Sequence, residues 1–436
     1  MHKIFSRVIL TAGAFLVCAA ISESAFAQEQ KTLSLSLEAA QQTAVDRNIT
    51  LANAALDLKA AKAKKWAAIA EMLPQVSASA EYSNYLGYTM NLGGMSIAMP
   101  PYINSGVNTS VAFNGSMYVA AQISEISRQM SDINLQQSEQ DVTTQVKTLY
   151  YSALISQEVL DLLGQNLENL NRLYDMTLTS VKVGASEQTA ADQIAVQVAQ
   201  LENSVASNKR SLEMVYNSLR LQLDLDVDTE IELTDSLEDL MAIDDFLQLV
   251  AEEFDVNRNY SYQLAEQSTD LSKKQLSAAK LSTTPTLSAY HQYSHKTYLS
   301  DEATMNMTPP NMLGVKVSIP IFSSLKSNQT INAARYDYQK SLNTLGNTEK
   351  ALLVQHRQLC YNLSSAYDTY TAQLKNMDVM QRVFDNIAMK YENGYASAME
   401  LTQSGTELIS AQSSYIQAVL QFVNAQIELE KLLNKN

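Results

Sequence analysis

The feature that most constrains this chain is internal duplication. Shifting the numbering by 211 superimposes Arg47-Asn48 on Arg258-Asn259, Pro74 on Pro285, Ala78 on Ala289 and Tyr82-Ser83 on Tyr293-Ser294. A shift of 210 then places Gly184 on Gly394, Gln193 on Gln403 and Leu219 on Leu429. Self-similarity at one long period means two copies of one structural unit. The copies span 28–222 and 245–436, with an acidic connector over 223–244 that Asp224, Asp226, Asp228, Glu230 and Glu232 are expected to keep in solvent.

Each copy is built around heptads. Apolar residues alternate three and four apart, the spacing of a helix that packs along its whole length. The first short helix reads Ala52, Leu56, Lys59, Ala63, Trp66, Ala70, Leu73; a long one over 119–182 carries Leu160, Leu163, Leu167, Leu170 and Tyr174. Its partner after Gly184 reads Ile194, Val198, Leu201, Val205, Leu212, Val215, Leu219. The second copy repeats the pattern with Met377, Met380, Phe384, Ile387, Tyr391, and then Leu408, Ala411, Tyr415, Ala418, Phe422, Ala425, Leu429. All seven prolines fall in four short zones, so nothing interrupts these runs. A helix of that length reaches roughly 96 Å, far more than a compact globule needs.

Between the short and long helices of each copy the period changes to two. Val76, Ala78, Ala80 and Tyr82 alternate with Ser77, Ser79 and Glu81, and Val107, Thr109, Val111 and Phe113 with Asn108, Ser110 and Ala112. In the second copy Leu287, Ala289 and Tyr293 oppose Ser288 and Gln292, and Leu313, Val315, Val317 and Ile319 oppose Gly314, Lys316 and Ser318. The spacing predicts strands over 75–88, 107–117, 285–298 and 312–322, each with one apolar and one polar face. A half-buried soluble sheet would alternate in the same way. Each run, however, has about the length of a tilted membrane strand, tyrosines gather near the ends, and Gly/Met/Pro-rich loops join the pairs over 89–106 and 300–311. Four strands cannot close a barrel, whose smallest size is about eight, so several chains must build one together. Parity then assigns Val76, Ala78, Val111, Leu287, Val315 and Val317 to the outer-membrane lipid.

The N-terminus predicts an exported protein. His2, Lys3 and Arg7 precede the apolar run Val8 to Ala20, and Ala25-Phe26-Ala27 supplies small residues for cleavage before Gln28, so 1–27 reads as a signal peptide. Cys18 leaves lipidation open, although Val17 stands where such a signal wants a small residue. After cleavage Cys360 is the sole cysteine, so packing rather than disulfides must stabilise the chain. With 46 acidic against 31 basic residues and a net charge of −15, the chain is unsuited to neutralising phosphates, and no nucleic-acid partner is expected.

In order and spacing these elements resemble the TolC-like outer-membrane efflux channel family. The resemblance covers essentially the whole mature chain: the duplicated unit, the Leu35-x-Leu37-Glu38-Ala39 opening, Arg47-Asn48, Pro74 and Pro285 at helix-to-strand joints, Pro320-Ile321-Phe322, and Gly184 and Gly394 at the turns. It implies a mostly α fold with a membrane β-barrel, in which long antiparallel coiled-coil helices form an α-barrel tunnel. Each of three protomers would contribute two hairpins, or four strands, to a 12-stranded barrel. The implied function is passive exit, in efflux or type I secretion, for substrates delivered by an inner-membrane transporter and a periplasmic adaptor. The implied place is the outer membrane of a Gram-negative bacterium, with a large periplasmic portion. A structural coiled-coil surface or adhesion protein is the alternative from another class. The resemblance further implies adaptor-docking tips at Gly184, Ala185, Gly394 and Ala396, and a periplasmic aperture near Tyr391, Glu400 and Gln403. Here the chain departs from the best-known members: Glu400 is present but Gln403 replaces a second carboxylate, Ala396 replaces a latch arginine, and Ile49 and Tyr260 follow the two Arg-Asn pairs.

Enzymatic chemistry has little to work with. His291 and His295 share a strand face but stand about 13 Å apart, too far to share a metal within one protomer. His356 is alone on a helix, and no phosphate-cradling loop or nucleophile turn occurs. No catalytic residue, cofactor or metal is expected.

Overall fold

The computed structural model describes residues 32–240, 243–300 and 309–435. The leader expected over 1–27, with Cys18, lies outside them, as do residues 241–242 of the connector and most of the 300–311 loop.

The first copy opens with β1 (Thr32–Leu35), α1 (Leu37–Arg47) and α2 (Ile49–Ala70), then β2 (Gln75–Ser83), a small hairpin of β3 (Thr89–Leu92) and β4 (Met95–Ala98), and β5 (Tyr102–Phe113). The long α3 (Gly115–Lys182) and its partner α4 (Gln188–Gln222) follow. The connector holds β6 (Glu230–Leu233) and α5 (Leu237–Leu240), and α6 (Ile243–Ala251) leads from it into the second copy. The second copy runs through α7 (Tyr260–Leu281), β7 (Thr286–Tyr298), β8 (Asn311–Ser318), α8 (Lys326–Glu392) and α9 (Ala398–Leu432). With 68 and 67 residues, α3 and α8 are rods of roughly 100 Å. Each packs against short helices toward the sheet, α3 on α2 and α7 and α8 on α7, and against α4 or α9 toward the far end.

Several sequence boundaries shift, for local reasons. The strand expected over 75–88 ends at Ser83, and the one expected over 107–117 runs instead from Tyr102 to Phe113. Asn114 stops it by capping α3: its side chain accepts from the Ser116 N–H, so Gly115 onward is already helix. The strand expected over 312–322 stops at Ser318, two residues before Pro320, which lacks the N–H that a ladder needs.

Asp224, Asp226, Asp228, Glu230 and Glu232 are exposed, as expected, but the connector is also an ordered part of the waist, with β6 pairing in parallel with β1 from Thr32↔Glu230 to Leu35↔Leu233. Ile231 points inward and is buried, while Glu230 and Glu232 point outward and accept from the hydroxyls of Thr32 and Ser34. Arg220 fastens the return of the chain, its Nε donating to the Thr229 carbonyl at 2.7 Å and its Nη1 to Glu213 at 2.7 Å. Beneath this sheet Tyr150 is fully buried, with Oη 2.9 Å from both the Leu35 carbonyl and Asp235 Oδ2, which also accepts from the Leu37 N–H. Burial first, and the Asp235 carboxylate second, push the Tyr150 phenol up to about 12.

The two Arg-Asn pairs do the same work in each copy. Asn48 accepts from Thr50 and Leu51 N–H at the start of α2, while its Nδ2 donates to the carbonyl of Gln222, the last residue of α4. Asn259 accepts from Ser261 and Tyr262 N–H, and its Nδ2 donates to the carbonyl of Leu432, the last residue of α9. One buried amide therefore satisfies orphan groups at two helix ends, a donor pair and a terminal carbonyl. The duplicated motif is the joint at which each short helix meets the end of its own copy.

Candidate functional site

The four strands β2, β5, β7 and β8 form one antiparallel sheet in that order, so the two copies meet through β5 and β7. Register fixes its faces, because residues directly opposed across strands share a face. One face carries the row Phe113, Leu287, Val317, the row Val111, Ala289, Val315, the row Val76, Thr109, His291, Leu313 and the row Ala78, Val107, Tyr293. The six residues assigned to lipid from parity thus lie on one face. Among them Val76, Leu287, Val315 and Val317 are more than half exposed in the protomer. Thr109 and His291 interrupt this face with polar groups, as do Ser105, His295, Thr297 and Asn311 toward the loop end. The other face holds Gln75, Ser77, Ser79, Glu81, Asn104, Asn108, Ser288, Gln292, Lys296 and Lys316. Edge strands β2 and β8 run antiparallel to one another, and each has a ladder edge that this chain leaves unpaired.

At the opposite end of the rods, the glycine turns are alike. Gly184 and Gly394 have φ of +74° and +76°, the left-handed conformation that glycine adopts without strain. In each turn the next residue reaches back across the helix end: Ala185 N–H donates to the Ser180 carbonyl and Tyr395 N–H to the Lys390 carbonyl. These are Schellman motifs, which end one helix and reverse the chain. They leave Ala185, Val183 and Tyr395 exposed, whereas Ala396 is half-buried.

Beyond the turns the copies differ. Ser397 caps α9 through its hydroxyl, which accepts from Glu400 N–H, and the Glu400 carboxylate accepts from Ser397 N–H at 2.7 Å and from its hydroxyl at 3.0 Å. This capping box holds the Glu400 carboxyl below the usual range, the backbone bond contributing most and the hydroxyl next. Gln403 donates to Glu407 at 2.7 Å. Glu400, Gln403 and Glu407 are spaced three and four apart and all exposed, so they share the outward face of α9. Leu401, Ser404, Gly405 and Leu408 form its buried face. Heptad spacing from Glu400 would have found Glu407, which the sequence reading passed over.

Tyr391 turns inward and meets the first copy: its hydroxyl lies 2.5 Å from that of the fully buried Thr177. Two further ties join the copies near this end, Asn166 Nδ2 to Gln412 Oε1 at 2.6 Å, and Gln197 Nε2 to the Thr402 carbonyl and Thr406 hydroxyl. Tyr391 packs against an apolar cluster of Leu173, Phe384, Leu401 and Leu408. None of the partners Thr177, Asn166, Gln197 and Gln412 is marked by a local pattern, since each is a polar residue within a heptad run.

Elsewhere, His356 stacks on Phe254 with centroids 5.1 Å apart, and burial lowers its pKa. Among the described residues no group of three His, Cys, Asp or Glu could hold a metal ion, and no helix is long and apolar enough to cross a membrane.

The family model for outer membrane efflux proteins matches residues 40–223 and 256–435, falling once on each copy. The chain belongs to that family. Outer membrane protein TolC of Escherichia coli strain K12 is 22% identical over 406 residues, 88% of this chain and 79% of TolC. Among solved structures, the Campylobacter jejuni CmeC outer membrane channel superposes with a TM-score of 0.77 at 14% identity, covering 91% of this chain and 85% of CmeC. VceC, the outer membrane protein of Vibrio cholerae, gives 0.76 at 13% identity, covering 92% and 96%. The fold is that of the α-barrel channels, and the protein is an outer-membrane efflux channel of a Gram-negative bacterium with a large periplasmic portion, a transport protein rather than an enzyme.

Proposed function

We propose that three copies close their sheets into one 12-stranded barrel and their helices into one tunnel, giving passive exit to substrates that an inner-membrane pump and a periplasmic adaptor deliver. The observation that carries this reading is the sheet: four strands, one apolar and exposed face, and two open edges that run antiparallel. An unpaired edge is intolerable in lipid, and β8 of one copy has the right direction to pair with β2 of the next. The apolar face then meets lipid and the polar face lines the lumen.

The tips at Gly184 and Gly394 are read as the adaptor-docking end. Exposed Val183 and Tyr395 give this end apolar surface that the protomer does not cover. The outward face of α9, with Glu400 and Glu407, is read as the wall of the aperture, and the Thr177–Tyr391 contact as part of what holds it closed. The test is whether heat-modifiable trimers occur in outer-membrane extracts and give stepwise conductance in planar bilayers. Cysteines replacing Ala185 and Ala396 should crosslink to an adaptor in whole cells. Crosslinks confined to the strand loops would place docking at the other end.

A further inference from the structure

We propose that the polar sheet face carries a second selectivity site, opposite in sign to the acidic tip, which favours small polyanions and is built from Lys316 and Lys296. The inference rests on the reading that this face lines the lumen of a barrel.

Register does the placing. Lys316 is opposed to Ser288, and Lys296 to Asn104, which in turn opposes Glu81. Over the four strands these are the only Lys, Arg, Asp or Glu residues, and all three lie on the polar face. Two cations against one anion make the lumen face basic, in a chain whose net charge is −15. From Ser288 to Lys296 the strand runs about 27 Å. The two lysines therefore stand near opposite ends of the sheet, Lys316 beside the helices and Lys296 toward the outer loops.

Lys296 is half-buried against aromatic rings, whereas Lys316 is exposed. Lys296 Nζ sits 3.7 Å from the Tyr102 ring centroid and 5.3 Å from that of Tyr298, two rings directly opposed across β5 and β7. Ring faces attract the ammonium without neutralising it. Lys316 is exposed, and among the described residues neither lysine ion-pairs with a carboxylate. Repeated by symmetry, each becomes a ring, and low-dielectric walls focus its field into the lumen. A solute leaving the cell would pass an acidic tip first and a basic barrel second. Cations are drawn in at the first, and small anions with two or more charges are held at the second.

Single channels in planar bilayers test this, with hexacyanoferrate(II) as the polyanion probe and reversal potentials read under a KCl gradient. Wild type should be blocked by the probe. Lys316→Gln removes every charge of its ring and should weaken block about tenfold or more, Lys296→Gln should weaken it less because Glu81 shares its row, and both should move the reversal potential toward cation preference. Lys316→Arg should keep both properties, which separates charge from packing. Normal conductance steps with unchanged block and reversal potential in both Gln variants would overturn the lysine site and leave the channel standing. Absence of steps from wild type would overturn both.

Discussion

The two copies agree at the waist and diverge at the tip. At the waist, Asn48 and Asn259 perform the same double cap, on α2 with α4 and on α7 with α9. At the tip, identical glycine turns lead into helices that begin differently. Glu187, which caps α4, makes no side-chain cap bond, whereas α9 begins with a full capping box. Duplication preserved the joint and let the tip vary. The joint must serve both copies of one rod, while each tip faces its own surroundings, so the tip is where a difference between copies can acquire a function.

The strongest test of equivalence lies in the sheet, to which the first copy contributes edge β2 and the second edge β8. Arg at Val76 and Arg at Val315 should each cost about 2–4 kcal/mol at a bilayer midplane. Arg at Ser77 or Ser318 should be tolerated and should alter conductance. The measurement is yield of folded trimer in outer-membrane extracts, and equal tolerance of both sets would sink the assignment of faces. The waist comes next. Asn48→Ala removes a buried cap and should cost about 1–3 kcal/mol in denaturant unfolding. Asn259→Ala should cost less, because its bond to the Leu432 carbonyl is 3.3 Å against 2.9 Å for Asn48 to Gln222. Equal losses would mean that the N-cap half of the joint supplies all of its stability.

What the sequence made legible follows from range. Heptads and alternation are local, so the rods, the strands and the parity of Val76 or Val317 could be read directly. The parallel pair β1–β6 could not, because two four-residue strands drawn from the beginning of one copy and the connector leave no repeating pattern. The acidic residues flanking Ile231 do stay in solvent, but nothing local marks Ile231 itself as buried. Asn48 was legible as part of a repeated motif, but its bond to Gln222 depends on bringing together residues 174 apart. Glu400 teaches the reverse lesson. The pattern Ser397-x-x-Glu400 is a local signature of a capping box, legible without reference to any aperture.

Two smaller effects concern the tip. Ser397→Ala should fray the first turn of α9 and speed its amide exchange roughly three- to tenfold, with no change in α4. The double substitution Glu187→Ser with Ala190→Glu would install the same box on α4, and slower exchange there would show that the asymmetry is the box alone. The box also has a pH signature. Because the Glu400 pKa is lowered in the folded chain, the stability it brings is complete above the ordinary carboxylate value of about 4.3 and is lost as pH falls through the lower folded value. Protection at the start of α9, taken relative to the intrinsic exchange rate at each pH, should therefore hold at neutral pH and fall only in strong acid.

The last test asks whether Glu400 serves the aperture as well as the cap. Its carboxylate is anchored by Ser397 but exposed on the face it shares with Glu407, so anchoring orients the charge without removing it from solvent. If three copies bring that face to a constriction, Glu400→Gln should reduce cation preference and weaken block by multivalent cations while trimer yield stays unchanged. Glu407→Gln should do the same to a smaller extent, since Gln403 already donates to that carboxylate and the residue lies two turns farther from the tip. Ser397→Ala separates the roles, because it loosens the cap but keeps the charge. Reversal potentials under a salt gradient that shift with Glu400→Gln and not with Ser397→Ala would assign the effect to charge in the pore. Identical values in wild type and Glu400→Gln would leave Glu400 as a helix cap, and the asymmetry between the two tips would then be structural alone.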